Sequence, residues 1–106
     1  MNFRGGMNEL MRQAARMQRK IEQAKEAAGT KEVTAGAVGD KVKATVTYAR
    51  KVVRIEIDPE FLKSEGLEMV QDAIVGVVNA GLVKANEQLE AHMEKVTGGV
   101  KLPGVY

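Results

Sequence analysis

The chain contains no cysteine and no tryptophan. Without thiols there is neither a disulfide framework nor a thiolate metal site, and a reducing compartment is the simplest home. Aromatic residues make up only 4 % of the chain, which argues against single-strand binders that stack bases on aromatic platforms. The single histidine, His92, makes neither a catalytic triad nor a zinc site by itself. No Walker loop, dinucleotide glycine pattern or helix-turn-helix spacing is present. No apolar run approaches the length of a membrane span, and no charged-then-apolar leader opens the chain, so a cytoplasmic protein with no membrane partner is expected. Glu56, Asp58 and Glu60 are the one carboxylate group that invites acid–base or metal chemistry. Asp58 stands before Pro59 and suits a cap or turn better. The expectation is therefore a protein that is not an enzyme, with no cofactor, metal or small-molecule substrate.

What is present is aliphatic and unevenly charged. Hydrophobic residues form 44 % of 106 residues, which fits one domain, 1–106, with a Met-rich core small enough to favour self-association. The net charge of +2 conceals two halves. Residues 1–57 carry twelve Lys and Arg against six Asp and Glu, whereas residues 58–106 carry four against eight. A basic half of this kind suits a polyanionic partner.

The patterning predicts helix, three strands, a short turn and a second long helix, an α+β order. Residues 1–6 read as a flexible lead, with Asn8 as N-cap. Met7, Leu10, Ala14, Met17, Ile21, Ala24 and Ala28 recur in steps of three and four and form a narrow apolar seam. Gly29 suits a left-handed C-terminal cap. Lys31 to Val38 is a weak strand, and Gly39-Asp40 suits a type II′ hairpin turn. In Lys41 to Tyr48, Val42, Ala44, Val46 and Tyr48 share a face. In Lys51 to Ile57, Val53, Ile55 and Ile57 do so, completing a three-stranded antiparallel meander with one wet face. Asp58-Pro59 stops the sheet and starts a single helical turn. The last helix is predicted over Leu67 to Val96, with Val70, Ile74, Val78, Leu82, Ala85, Leu89, Met93 and Val96 recurring in steps of three or four. Gly76 and Gly81 weaken a helix and so read as packing sites. Gly98-Gly99 ends the helix, and 98–106 reads as an extended tail.

On the first helix Arg12, Arg16 and Arg19 fall on one stripe, with Lys20 at its edge and Arg4 just before it. The stripe lies opposite the seam. Guanidinium forks match phosphate geometry, and a row of them gives sequence-independent affinity for nucleic acid. Lys41, Lys43, Arg50, Lys51 and Arg54 decorate the sheet, where edge protection by lysine is the simpler reading. The two long helices would run roughly 33 and 45 Å, longer than a small sheet can cover. Their ends must project, against each other or against a second copy. A homodimer is the expectation, with Met7, Leu10, Met17, Ile21, Val42, Val46, Ile55, Ile74, Val78 and Leu82 packed in its core or interface. The alternative is a helical protein–protein adaptor that uses the same seam without binding nucleic acid.

Four pieces carry a resemblance: Leu10-Met-Arg-Gln-Ala-Ala-Arg-Met-Gln-Arg-Lys-Ile21, Val53-Arg-Ile-Glu-Ile-Asp-Pro59, Asn79 in the apolar helix, and Gly98-Gly-Val-Lys-Leu-Pro-Gly104. In order and with few gaps, they resemble the YbaB/EbfC family of bacterial nucleoid-associated proteins. The resemblance implies an α-β-β-β-α protomer, a tweezer-like homodimer with projecting helices, and binding of double-stranded DNA in the nucleoid. It adds support for phosphate contacts by Arg4, Arg12, Arg16, Arg19 and Lys20. On the last helix only Lys84, His92 and Lys95 offer positive character, as secondary contacts.

Overall fold

The computed structural model describes residues 3–99, with side chains from residue 6 onward. The element order is α1 (Phe3–Ala28), β1 (Glu32–Ala37), β2 (Val42–Thr47), β3 (Val52–Ile57), α2 (Pro59–Ser64) and α3 (Leu67–Val96). The predicted order and the limits of α3 agree with this. The molecule extends 77 × 19 × 18 Å, with a radius of gyration of 20.3 Å, against about 13 Å for a compact domain of this length.

Helix α1 begins at Phe3, inside the expected flexible lead, so Asn8 is an interior residue and not the N-cap. Once a helix has nucleated, extension through two glycines costs less than a new start. At the other end the Gly29 N–H donates to Lys25 O at 2.9 Å and to Glu26 O at 3.2 Å. Gly29 is not among the positive-φ residues, so it is no left-handed cap. Its smallness serves another purpose: a Cβ there would meet Ala49 Cβ at 3.4 Å and Glu26 O at 3.3 Å. The β2–β3 loop therefore lies directly against the end of α1.

The sheet has order β1-β2-β3 with antiparallel neighbours. In the first hairpin Val38, Gly39 and Asp40 all have positive φ (54°, 62° and 64°), and Lys41 N–H donates to Val38 O. Positive φ at both central residues is the signature of a type I′ turn, not the expected type II′. Gly36 makes room beside it, since a Cβ there would collide with the Asp40 carboxylate. The second hairpin closes through Thr47 N–H to Lys51 O and Arg50 N–H to Thr47 O, with Arg50 at φ 67°. That is a three-residue loop with its last residue left-handed.

A bulge corrects the face expected for β3. Thr45 pairs with Arg54 but Val46 pairs with Val52, so Val53 is the extra residue. The alternation slips by one there. Val52 joins Ile55 and Ile57 on the helix side, and Val53 leaves it.

Helix α3 runs over β1 and β2. Val42 and Ala44 meet Val70, Val77 and Phe61, with Ala35, Ile57, Ile74 and Val78 packed at the margin. Gly81 is the close approach: a Cβ there would stand 3.4 Å from both Val46 methyls. Gly76, expected to play the same part, has nothing within 4 Å. Asp58 caps α2 by accepting the Glu60 N–H at 2.8 Å, with Pro59 in the first turn. A second cluster, Ile21, Ala28, Leu89 and Met93 with Ala24, Tyr48 and Val96, fastens α1 to the C-terminal half of α3.

This fastening divides the predicted seam. Ile21 and Ala28 are buried and Ala24 is half-buried. Met7, Leu10, Ala14 and Met17 are exposed. Residues 6–20 of α1 are exposed throughout and form a projecting arm. Of the other expected packing residues, Val42 and Val46 are buried, Ile74, Val78 and Leu82 are half-buried, and Ile55 is 38 % exposed.

Candidate nucleic-acid interface

The arm carries the cations. Arg12, Arg16, Arg19 and Lys20 are all exposed, as expected for one stripe on a helix whose opposite side holds the seam. Arg4 also belongs to α1, and its side chain lies outside those described. The stripe is not uniform. Glu9 Oε1 meets Arg16 Nη2 at 3.3 Å, and Glu9 Oε2 meets Arg12 Nη1 at 3.8 Å. Among the described residues Arg19 and Lys20 make no ion pair. The Glu9 pairing was readable from its spacing to Arg12 and Arg16, three and seven residues on, but sequence reasoning passed over it.

The secondary candidates separate. Lys95 is exposed in the last turn of α3, and His92 is half-buried one turn earlier. Both lie where α1 is fastened, since Met93 belongs to that cluster. Lys84 is exposed but engaged: its Nζ donates to Thr34 O at 3.0 Å. Tyr48 N–H donates to Lys31 O, and bonding alternates along an antiparallel pair. The Thr34 carbonyl therefore points away from β2, out of the sheet edge. Lys84 covers that edge, a protective role expected of the sheet lysines and filled by a helix lysine instead.

The two arginines of the sheet are held. Arg54 Nε donates to Glu56 Oε1 at 3.0 Å, and its Nη1 stands 4.0 Å from Glu32 Oε1 on β1. To reach Glu32 the Arg54 side chain crosses β2, which accounts for the 2 % exposure of Thr45 beneath it. Thr45 Oγ1 also shares a 3.0 Å hydrogen bond with Thr34 Oγ1. Arg50 Nη2 donates to Asn86 Oδ1 at 2.7 Å, and Asn86 Nδ2 donates to Glu90 Oε1. Glu56 and Asp58, the carboxylates weighed for chemistry, are thus a pairing group and a helix cap.

Sequence reasoning missed one concavity. An open groove of about 780 Å³ lies between the end of α1, the β2–β3 loop and α3. Lys25, Arg50 and Lys51 line it beside Glu22, Glu26 and Tyr48. It depends on Gly29 and Ala49 meeting, a contact between segments twenty residues apart that no local pattern announces.

The opposite sheet edge is open. Asp58 N–H donates to Lys41 O, and by the same alternation the N–H and C=O of Ile55 point outward. They have no partner among the described residues. Val52 and Ile55 are 47 % and 38 % exposed on the helix side, because α3 lies over β1 and β2. Met69, Val75 and Val83 are exposed along α3.

Comparison with known proteins places these features in context. A family model described as the YbaB/EbfC DNA-binding family matches residues 3–100. A nucleoid-associated protein of Clostridium acetobutylicum is 38 % identical over 101 residues, covering 95 % of this chain and 90 % of the relative. A nucleoid-associated protein of Alkaliphilus metalliredigens is 39 % identical over 100 residues, covering 94 % and 88 %. One from Moorella thermoacetica is 38 % identical over 100 residues, covering 94 % and 96 %.

Proposed function

The chain belongs to the YbaB/EbfC DNA-binding family, and from that premise we propose that it is a nucleoid-associated protein that grips double-stranded DNA as a homodimer with low sequence specificity. Its place is the cytoplasm, on the nucleoid, where it contributes to nucleoid organisation or to regulation of gene expression. The observation that carries this reading is the projecting arm with Arg12, Arg16, Arg19 and Lys20 in one exposed stripe. Arginines in a row on a rigid rod suit the phosphate backbone, which carries charge but no direct sequence information. Arg4 is proposed as a further phosphate contact, and Lys95 and His92 as secondary contacts. Lys84, occupied at the sheet edge, contributes least.

The homodimer is supported by the unequal edges of the sheet. On one edge the central outward carbonyl, that of Thr34, is taken by Lys84. The other presents Ile55 with outward backbone groups and a bare apolar face. A second copy paired there would cover Val52 and Ile55 and supply a second arm. We expect Ile55→Glu to convert a dimer into a monomer by sedimentation at micromolar concentration, with the circular dichroism of the protomer retained. A parent protein that sediments as a monomer would remove the dimer from the reading.

The exposed seam of Met7, Leu10 and Met17 is the observation that favours the adaptor alternative. Titrating duplex binding against salt separates the two. For the DNA reading, log K falls linearly with log salt at a slope near −0.9 for each phosphate engaged. An adaptor has no measurable affinity for random duplex and gives no such line.

A further inference from the structure

We propose that Glu9 is an intramolecular competitor for DNA phosphate and sets how tightly the arm binds. The proposal rests on the reading above, that the α1 stripe meets phosphate. Residues 9, 12, 16 and 19 are separated by three, four and three positions, so Glu9 lies in line with the arginines. DNA laid along the stripe must pass over its carboxylate. That carboxylate already does what a phosphate would do. Its two oxygens are divided between two guanidinium groups, Oε2 toward Arg12 at 3.8 Å and Oε1 toward Arg16 at 3.3 Å.

The pairs are open to exchange. The side chains of Arg12 and Arg16 are 71 % and 61 % exposed and that of Glu9 is 51 % exposed, and ion pairs in such settings are weak. A phosphate can therefore replace Glu9, but it then faces the displaced negative charge at close range. Arg19 and Lys20, with no such pairing among the described residues, carry no equivalent handicap. The stripe is graded: the base of the arm binds phosphate at full strength, and the segment around Arg12 and Arg16 binds only after exchange. Glu9 thereby holds down the affinity for any polyanion that engages the outer arm.

The test is anisotropy of a labelled random-sequence duplex of about 25 base pairs, titrated with full-length protein at several salt concentrations. Four variants are compared with the parent: Glu9→Gln, Arg12→Ala/Arg16→Ala, the three changes combined, and Glu87→Gln as a charge-matched control on an exposed part of α3. Glu9→Gln is expected to tighten binding by about threefold to tenfold at low salt, with the gain shrinking as salt rises. The gain disappears in the Arg12→Ala/Arg16→Ala background, and Glu87→Gln gives clearly less. If Arg12→Ala/Arg16→Ala binds as the parent does, the stripe is not the DNA surface and the underlying reading falls. If that pair weakens binding while Glu9→Gln leaves it unchanged, competition is overturned. A weaker Glu9→Gln overturns it too and makes Glu9 a residue that pre-orders the arginines. An equal gain from Glu87→Gln reduces the effect to net charge and likewise overturns it.

Discussion

Replacing Arg12, Arg16 and Arg19 together by alanine is expected to weaken duplex binding on the order of 100-fold or more near 100 mM salt. The three side chains are exposed, and alanine is the best helix former, so the arm keeps its shape while its charge is removed. The slope of log K against log salt should become shallower by about 0.9 for each phosphate no longer neutralised, about five in all if both arms of a dimer engage one duplex. Far-ultraviolet circular dichroism and sedimentation should match the parent. The slope is the more demanding readout, because a change that merely disturbed folding would lower affinity without altering the number of released counterions in this proportion. A triple variant with parental affinity and slope would move the DNA surface elsewhere, with the groove cations Lys25, Arg50 and Lys51 next in line.

The second large effect concerns the fastening of the arm. Met93 is fully buried and belongs, with Ile21, Ala28 and Leu89, to the cluster between α1 and α3. Met93→Ala should cost about 2–5 kcal/mol, concentrated at this junction and not at the sheet. The sheet and the front of α3 have their own cluster around Val42, Ala44 and Val77. Residues 6–20 of the arm are exposed, so its helicity propagates outward from the docked segment. Loosening that segment should fray α1. Thermal unfolding followed at 222 nm is expected to show an early helical loss in Met93→Ala, ahead of the main transition. Amide exchange should speed up along residues 10–28 while β2 stays protected. A single cooperative transition merely displaced to lower temperature would mean that the two clusters unfold as one unit.

The features legible in the sequence were those with a period or a local spacing. The seam of α1, the alternation of β2, the Asp58-Pro59 start of α2 and the length of α3 all declare themselves within a few residues. The stripe did so too, since helical geometry alone places Arg12, Arg16 and Arg19 together. What stayed hidden required knowing where one element stops against another. The seam looks continuous from Met7 to Ala28, yet it is buried only where α3 reaches it, and α3 ends at Val96. Val52 and Val53 are both apolar, so the pattern fits either phase of β3, and only the pairing of Val46 with Val52 reveals the bulge. Gly76 and Gly81 look alike in sequence. Gly81 faces Val46 and Gly76 faces open space, a distinction set by how α3 is rotated on the sheet. Lys84 reads as an available cation until Thr34, fifty residues earlier, is brought beneath it.

For the homodimer proposed above, that single lysine bears on how far edge pairing could extend. A three-stranded sheet with two open rims has a valence of two, and edge pairing would extend it copy by copy into a ribbon. With Lys84 Nζ seated on the Thr34 carbonyl, the central outward acceptor of the β1 rim is taken, which disfavours pairing there. In the proposed dimer, growth through the β3 rim would stop at the second copy, because each partner would turn its β1 rim outward. The helix that roofs the sheet would thus limit the proposed pairing to two copies.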